Sequence, residues 1–273
     1  MKTSKLFLSS AFAIAAFAGS AHATVYIENF NTYTYNSDLN GQNGWVSSDP
    51  TADVGYVQSL GGSWGARSAS IGYVAPILND NVFLSHAAST PLIGDGVDAS
   101  FSARFQVVDS DSGPGDGSQA RDKFGFRLES STGANIFTFY LNPTSQVPDP
   151  ENQTEYNSYS WSTGTGAPTV ALAGRGSEET YAYTLTVNFY YAGGTDVGFN
   201  ADVNGDGFTG IIPGGTTQTI GSFGAIWNTL NGKTAPGSNF MVFDNVSLIP
   251  EPSSALLGLL GTSFAFIRRR RRA

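Results

Sequence analysis

The sequence predicts an all-β chain folded as a single antiparallel two-sheet sandwich. Three observations carry that prediction. Residues 97–107 and 181–191 alternate apolar and polar side chains with a period of two, which puts one face of each strand in a core and the other in water. Glycine is abundant at 33 residues, aromatic residues make up 13 % and charged residues only 13 %, a composition of strands joined by many turns. Between residues 24 and 249 no stretch repeats its apolar positions at the helical spacing of three and four.

The strands can be taken in order. Residues 25–30 form the first. Residues 69–73 and 82–84 are two short ones, separated from it by glycine-rich loops that include Trp64. In 97–107, Val97, Ala99, Phe101, Ala103, Phe105 and Val107 share the buried phase. Residues 109–122 read as a loop rich in Gly and Asp. Residues 123–129 and 136–141 pair as a hairpin across Ser130-Ser131-Thr132-Gly133-Ala134. Residues 142–168 read as a long polar loop containing Trp161, and loops of that length in a compact domain are commonly functional. In 181–191 the buried phase is Tyr181, Tyr183, Leu185, Val187, Phe189 and Tyr191. Residues 197–203 and 208–212 form a further hairpin across Asn204-Gly205-Asp206-Gly207. Residues 223–230, with Trp227, are apolar enough for core, and 240–248 closes the body. Some ten to twelve strands result, with the first and last expected to lie together in one sandwich.

The two ends differ from the body. Residues 1–23 carry Lys2 and Lys5, an apolar run over 6–18, and Ala21-His22-Ala23, a small-x-small cleavage site. That is a secretory signal helix, which makes signal peptidase a processing partner and places Ala21 and Ala23 at the cut. At the other end Pro250-Glu251-Pro252 precede an uncharged run, then Arg268, Arg269, Arg270, Arg271 and Arg272. The prolines hold Glu251 extended. Residues 253–267 span about 22 Å as a helix, short of the roughly 30 Å bilayer core, and the arginines stay cytoplasmic. The predicted organisation is a signal peptide at 1–23, a β-sandwich at 24–249 and a tail at 250–273, with a short transmembrane helix over about 254–267.

Removing both ends leaves 14 − 7 = 7 basic and 22 − 1 = 21 acidic residues between 24 and 249, a net charge of −14. Nucleic acid is excluded as a partner, because it needs the opposite sign. There are no cysteines, so the fold rests on its core, and thiol catalysis and Cys-ligated zinc are excluded.

Candidate sites follow from residue types. Asp202, Asn204 and Asp206, with Gly207, match the first half of a calcium loop, although position twelve is Pro213; the alternative is a plain Asn-Gly hairpin turn. Asp109, Asp111, Asp116 and Asp122 form a second acidic group. Asp244 shares its phase with Phe240, Val242, Val246 and Leu248, so its carboxylate faces inward unless the strand bulges. Trp64 and Trp161, read in loops, are the candidates for stacking on sugar rings; Trp45 and Trp227 read as core. Catalysis is not expected. His86 is the one histidine left after processing, and Glu178-Glu179 point to opposite faces.

The tail resembles the PEP-CTERM sorting signal of Gram-negative bacteria. The resemblance covers only the last 24 residues. It implies an exosortase as a second processing partner, a pause at the inner membrane, removal of the tail, and delivery to the cell surface or the extracellular matrix. Phe30-Asn31-Thr32-Tyr33 followed by Gly41-Gln42-Asn43-Gly44-Trp45 resembles the opening of secreted lectin-like jelly rolls of concanavalin A-like type. Phe243-Asp244-Asn245-Val246-Ser247-Leu248 resembles the closing strand of carbohydrate-binding jelly rolls. The second likeness implies a structural calcium held by Asp244 with Glu28 or Asn31 from the first strand; Asn31 stands where those families place an acid. The resulting expectation is an exported biofilm or exopolysaccharide-associated protein with a structural or adhesive body. The alternatives are a carbohydrate-binding module for exopolysaccharide and, second, a glycan-active enzyme.

Overall fold

The computed structural model describes residues 25–50, 54–59, 64, 66–72, 81–94, 97–109, 122–142, 158–164, 166, 169–172, 182–229 and 239–252. The signal segment 1–23, the residues beyond Pro252 with the anchor 254–267 and Arg268–Arg272, and Asp111 and Asp116 lie outside them.

Two antiparallel sheets face each other. In the ten-stranded sheet the order is β15 (Asp206–Ile212), β14 (Asp196–Val203), β13 (Tyr183–Gly193), β8 (Val97–Asp109), β17 (Asn239–Pro252), β5 (Ser68–Ile71), β4 (Gly55–Gln58) and β2 (Ser37–Asp38). Two short strands join it, β1 (Tyr26–Glu28) on β17 and β7 (Ile93–Gly94) on β8. The seven-stranded sheet runs β12 (Thr169–Leu172), β11 (Ser158–Thr163), β10 (Asn135–Asn142), β9 (Lys123–Ser130), β16 (Thr219–Asn228), β6 (Asn81–Pro91) and β3 (Trp45–Ser47). The first and last strands do lie together, Tyr26 opposite Leu248.

The alternating stretches behave as their period demands up to Phe189, whereas Tyr191, read in the buried phase, is exposed where β13 runs past the core. Ala99, Phe101, Ala103 and Phe105 of β8, and Leu185, Val187 and Phe189 of β13, are all in the core. Phe101 meets Phe126 of the opposite sheet at 5.7 Å between ring centres, and Phe105 meets the same ring at 5.2 Å. Trp45 and Trp227 are fully buried. The Trp227 Nε1–H donates to Asp122 Oδ2 at 2.9 Å, so Asp122 is a buried partner of core indole rather than a member of a solvated acidic loop.

Three expectations are corrected. Trp161 is not in a loop; it lies on β11, pairs with Phe139 across β10 and turns inward. Its strand escapes the alternation rule because Ser158, Ser160 and Ser162 alternate with Tyr159, Trp161 and Thr163, a weakly apolar set. The closing strand does not stop at Leu248. Pro250, Glu251 and Pro252 continue β17 opposite Ala99, Asp98 and Val97. Prolines at alternate positions lose N–H groups on one side of the strand only, so pairing through the other side survives.

The third correction concerns phase. Asp244 stands opposite Arg104 and Ser247 opposite Ser102, so β17 carries one extra residue between them. Asn245 takes that place with φ 51, in the left-handed region that Asn tolerates. The inward set is therefore Met241 and Phe243 before the bulge and Val246 and Leu248 after it. Val242 and Asp244 face outward.

Candidate functional site

The outward face of the ten-stranded sheet is built from the polar phase of its strands. On β13 that phase is Thr184, Thr186, Asn188 and Tyr190. Register then lays rows across the sheet. Asn188 stands between Ser100 of β8 and Asn200 of β14, and Asn200 faces Thr209 of β15. The Ser100 hydroxyl donates to Asn188 Oδ1 at 2.8 Å. Thr186 stands between Ser102 and Asp202. Hydroxyls and carboxamides dominate these rows, and each such group both donates and accepts hydrogen bonds.

Tyr190 ends the face at one side. It pairs with Gly198, which pairs with Ile211. A β-carbon at position 198 would fall 2.3 Å from Tyr190 Cζ and 2.7 Å from its phenolic oxygen. The tyrosine ring therefore lies across the glycine, with its outer side open, and Ile211 beside it is 45 % exposed. From Tyr190 to Thr184 the face extends about 20 Å along β13, at roughly 3.3 Å per residue.

The other end is closed. Gln58 pairs with Ser68, Asp244 with Arg104 and Arg104 with Thr184, while Phe243 opposite Ala69 sets Ser68 beside Asp244. The Arg104 guanidinium lies 4.4 Å from the centre of the Trp64 ring. Asp244 is buried, and its Oδ1 accepts the Asn245 N–H at 2.8 Å. Burial raises its carboxyl from 3.8 to about 6, against the pull of that hydrogen bond and of the Arg104 charge. Ser68 Oγ and Gln58 Nε2 are buried without a hydrogen-bond partner, an orphaned pair in the same row.

The predicted calcium ligands are not brought together. Glu28 sits opposite Val246, an inward residue, whereas Asp244 faces outward, so the sheet stands between them. Glu28 Oε2 accepts the Tyr33 hydroxyl at 2.6 Å, and that hydroxyl oxygen accepts the Trp45 Nε1–H at 3.1 Å. Burial first, then the hydrogen bond and charge of Glu28, push the Tyr33 phenol far up. His86 Nε2 lies 3.9 Å from Glu28 Oε1, and the imidazole packs against Trp45 and Phe223, away from the polar face. Asn31 is exposed, and its backbone N–H donates to Asn29 Oδ1. Asp202, Asn204 and Asp206 belong to a tight turn with Asn204 at φ 52 and Gly205 at φ 97. Asp202 Oδ1 accepts the Gly205 N–H, and Asn204 Oδ1 accepts the Thr184 N–H. Those oxygens are spent on the backbone, as an Asn-Gly hairpin requires. Among the described residues no three His, Asp or Glu side chains form a metal-holding group.

The aromatic candidates also move. Trp64 is 7 % exposed and covered on one side by Arg104. Trp161 packs on Phe199 at 5.2 Å and on Phe208 at 5.7 Å. Tyr190 supplies the open ring instead. Its signal lay in the sequence as the one aromatic in the wet phase of 181–191.

Comparison with known proteins finds likenesses among solved structures alone. No family model matches the chain, and no curated protein does. Among solved structures, the chain is similar to winged bean acidic lectin complexed with methyl-α-D-galactose, at TM-score 0.45 and 10 % identity over 84 % of this chain and 99 % of that one. It is similar to the alginate lyase Aly36B in complex with alginate tetrasaccharide, at TM-score 0.44 and 11 % identity over 84 % and 98 %. It is also similar to lectin I of Ulex europaeus in complex with the methyl glycoside of α-L-fucose, at TM-score 0.43 and 9 % identity over 84 % and 98 %. These likenesses concern the path of the chain. The fold, on its own strand order, is an antiparallel two-sheet sandwich.

Proposed function

We propose that this is an exported surface or matrix protein whose β-sandwich binds a glycan on the outward face of the ten-stranded sheet. The observation that carries the binding reading is the Tyr190 ring lying across Gly198 at the end of rows of hydroxyls and carboxamides. A sugar ring offers an apolar face and a rim of hydroxyls. It needs a flat aromatic surface beside groups that donate and accept. The same reading takes the body as a binder rather than an enzyme, and its support is that His86 packs against Trp45 and Phe223.

The route rests on the two ends of the sequence. A signal peptide cut after Ala23 releases the body outward, and the tail from Pro250 to Arg272 directs it to an exosortase at the inner membrane, which removes the anchor. The body then reaches the surface or matrix of a Gram-negative bacterium. The binding test is retention of the full chain on immobilised polysaccharides, wild type against Tyr190→Ala. Retention that Tyr190→Ala abolishes supports the reading, and no retention on any of them sinks it. The route is tested by the mass of the protein recovered from the cell surface. A mass that still includes Arg268–Arg272 sinks the sorting proposal.

A further inference from the structure

We propose that the glycan taken by this face is a neutral, extended chain lying along β13 with one ring on Tyr190. This rests on the binding reading above and adds the chemistry of the ligand.

The charges of the face argue for a neutral partner. Thr184, Thr186, Asn188 and Tyr190 are uncharged at neutral pH. Among the described residues the cation in these rows is Arg104, which lies over the Trp64 ring and stands opposite Asp244 in the sheet register. The exposed acid beside the central rows is Asp202, which repels an anion. The net charge of −14 over residues 24–249 acts the same way at longer range. An acidic polysaccharide calls for guanidinium or ammonium groups aimed at its carboxylates. Hydroxyls and carboxamides match sugar hydroxyls, which also donate and accept.

The length of the face argues for a chain. Its outward side chains repeat every second residue along β13, so three polar positions follow Tyr190 over about 20 Å. A single sugar on Tyr190 leaves most of them in water. An extended oligosaccharide reaches Asn188 and Thr186 in turn, so affinity grows with chain length. Growth stops near Arg104, where Trp64 closes the face.

The experiment is isothermal titration of the purified full chain. The neutral ligands are oligosaccharides of increasing length prepared from a glucan, a mannan and a galactan. The acidic ligands are alginate and polygalacturonate. Each is measured at low and high NaCl for wild type, Tyr190→Ala and Asn188→Ala. The expected result is binding of one neutral series, strengthening until the chain spans the face and indifferent to salt. Tyr190→Ala weakens it by about tenfold or more, a loss of roughly one decade in Kd. Preference for alginate or polygalacturonate, weakened by salt and by Tyr190→Ala, overturns the neutral ligand while leaving a glycan on this face. Neutral binding that ignores length, or survives both substitutions, overturns the placement along β13. No binding of any ligand fells the glycan reading itself.

Discussion

The ring of Tyr190 lies across Gly198, so close that a single β-carbon on the glycine would come within 2.3 Å of it. The pair is a cross-strand one, and the ring is solvent-facing at its far side. Gly198→Val is expected to tilt the ring off the sheet. The tyrosine is free to swing outward, and Val suits a strand, so stability should change by less than about 1 kcal/mol. Glycan retention should fall as it does in Tyr190→Ala. Thermal unfolding and retention measured on the same preparation check both halves.

Phe101 is fully buried and touches Phe126 and Phe223 of the facing sheet. Phe101→Ala removes a ring that two others pack against and should cost about 3–5 kcal/mol. Phe101→Asp should cost more, because it adds an unpaired buried charge. Denaturant unfolding measures both, and wild-type stability in either variant would take Phe101 out of the core.

The Tyr33 hydroxyl connects Glu28 to the Trp45 indole. Tyr33→Phe leaves a buried N–H without its acceptor and should cost about 1–3 kcal/mol. The near-ultraviolet spectrum should change with it, since Trp45 loses its polar partner.

Asp244 gives the pH dependence. Its folded carboxyl titrates at about 6, above the 3.8 of the unfolded chain. The folded state therefore holds more protons between those values, and stability contributed by this group is fully present below 3.8 and lost as pH rises through about 6. Asp244→Asn should raise the unfolding midpoint at pH 8 and leave it nearly unchanged at pH 4. Calcium and chelator should leave the wild-type midpoint alike, because Glu28 and Asp244 occupy opposite faces of the sheet. A calcium-dependent midpoint that Asp244→Asn abolishes would reverse that.

Pro250 to Pro252 are paired with β8. A chain ending at Leu248 should melt below one ending at Pro252, since the shorter chain strips the start of β8 of its neighbour. Equal midpoints would show that those pairings contribute nothing.

What was legible in the sequence was local. Alternation over 97–107 and 181–191, and Asn-Gly at 204–205, gave strands, phase and a turn, because backbone geometry forces side chains to alternate and positive φ selects those residues. The buried role of Trp227 followed from its apolar stretch, and that of Trp45 from its place at the Gly41-Gln42-Asn43-Gly44 corner. The tertiary structure alone decided the rest. One inserted residue at Asn245 reversed the phase of β17 and put Asp244 outward beside Arg104, and no periodicity reveals a bulge whose cause is the register of a strand well over a hundred residues away. Trp161 reads as polar-loop aromatic until Phe199 and Phe208 from the other sheet close over it. Tyr190 stands visibly in a wet phase, yet its use depends on Gly198 lying opposite. That is a relation between strands, and sequence order does not carry it.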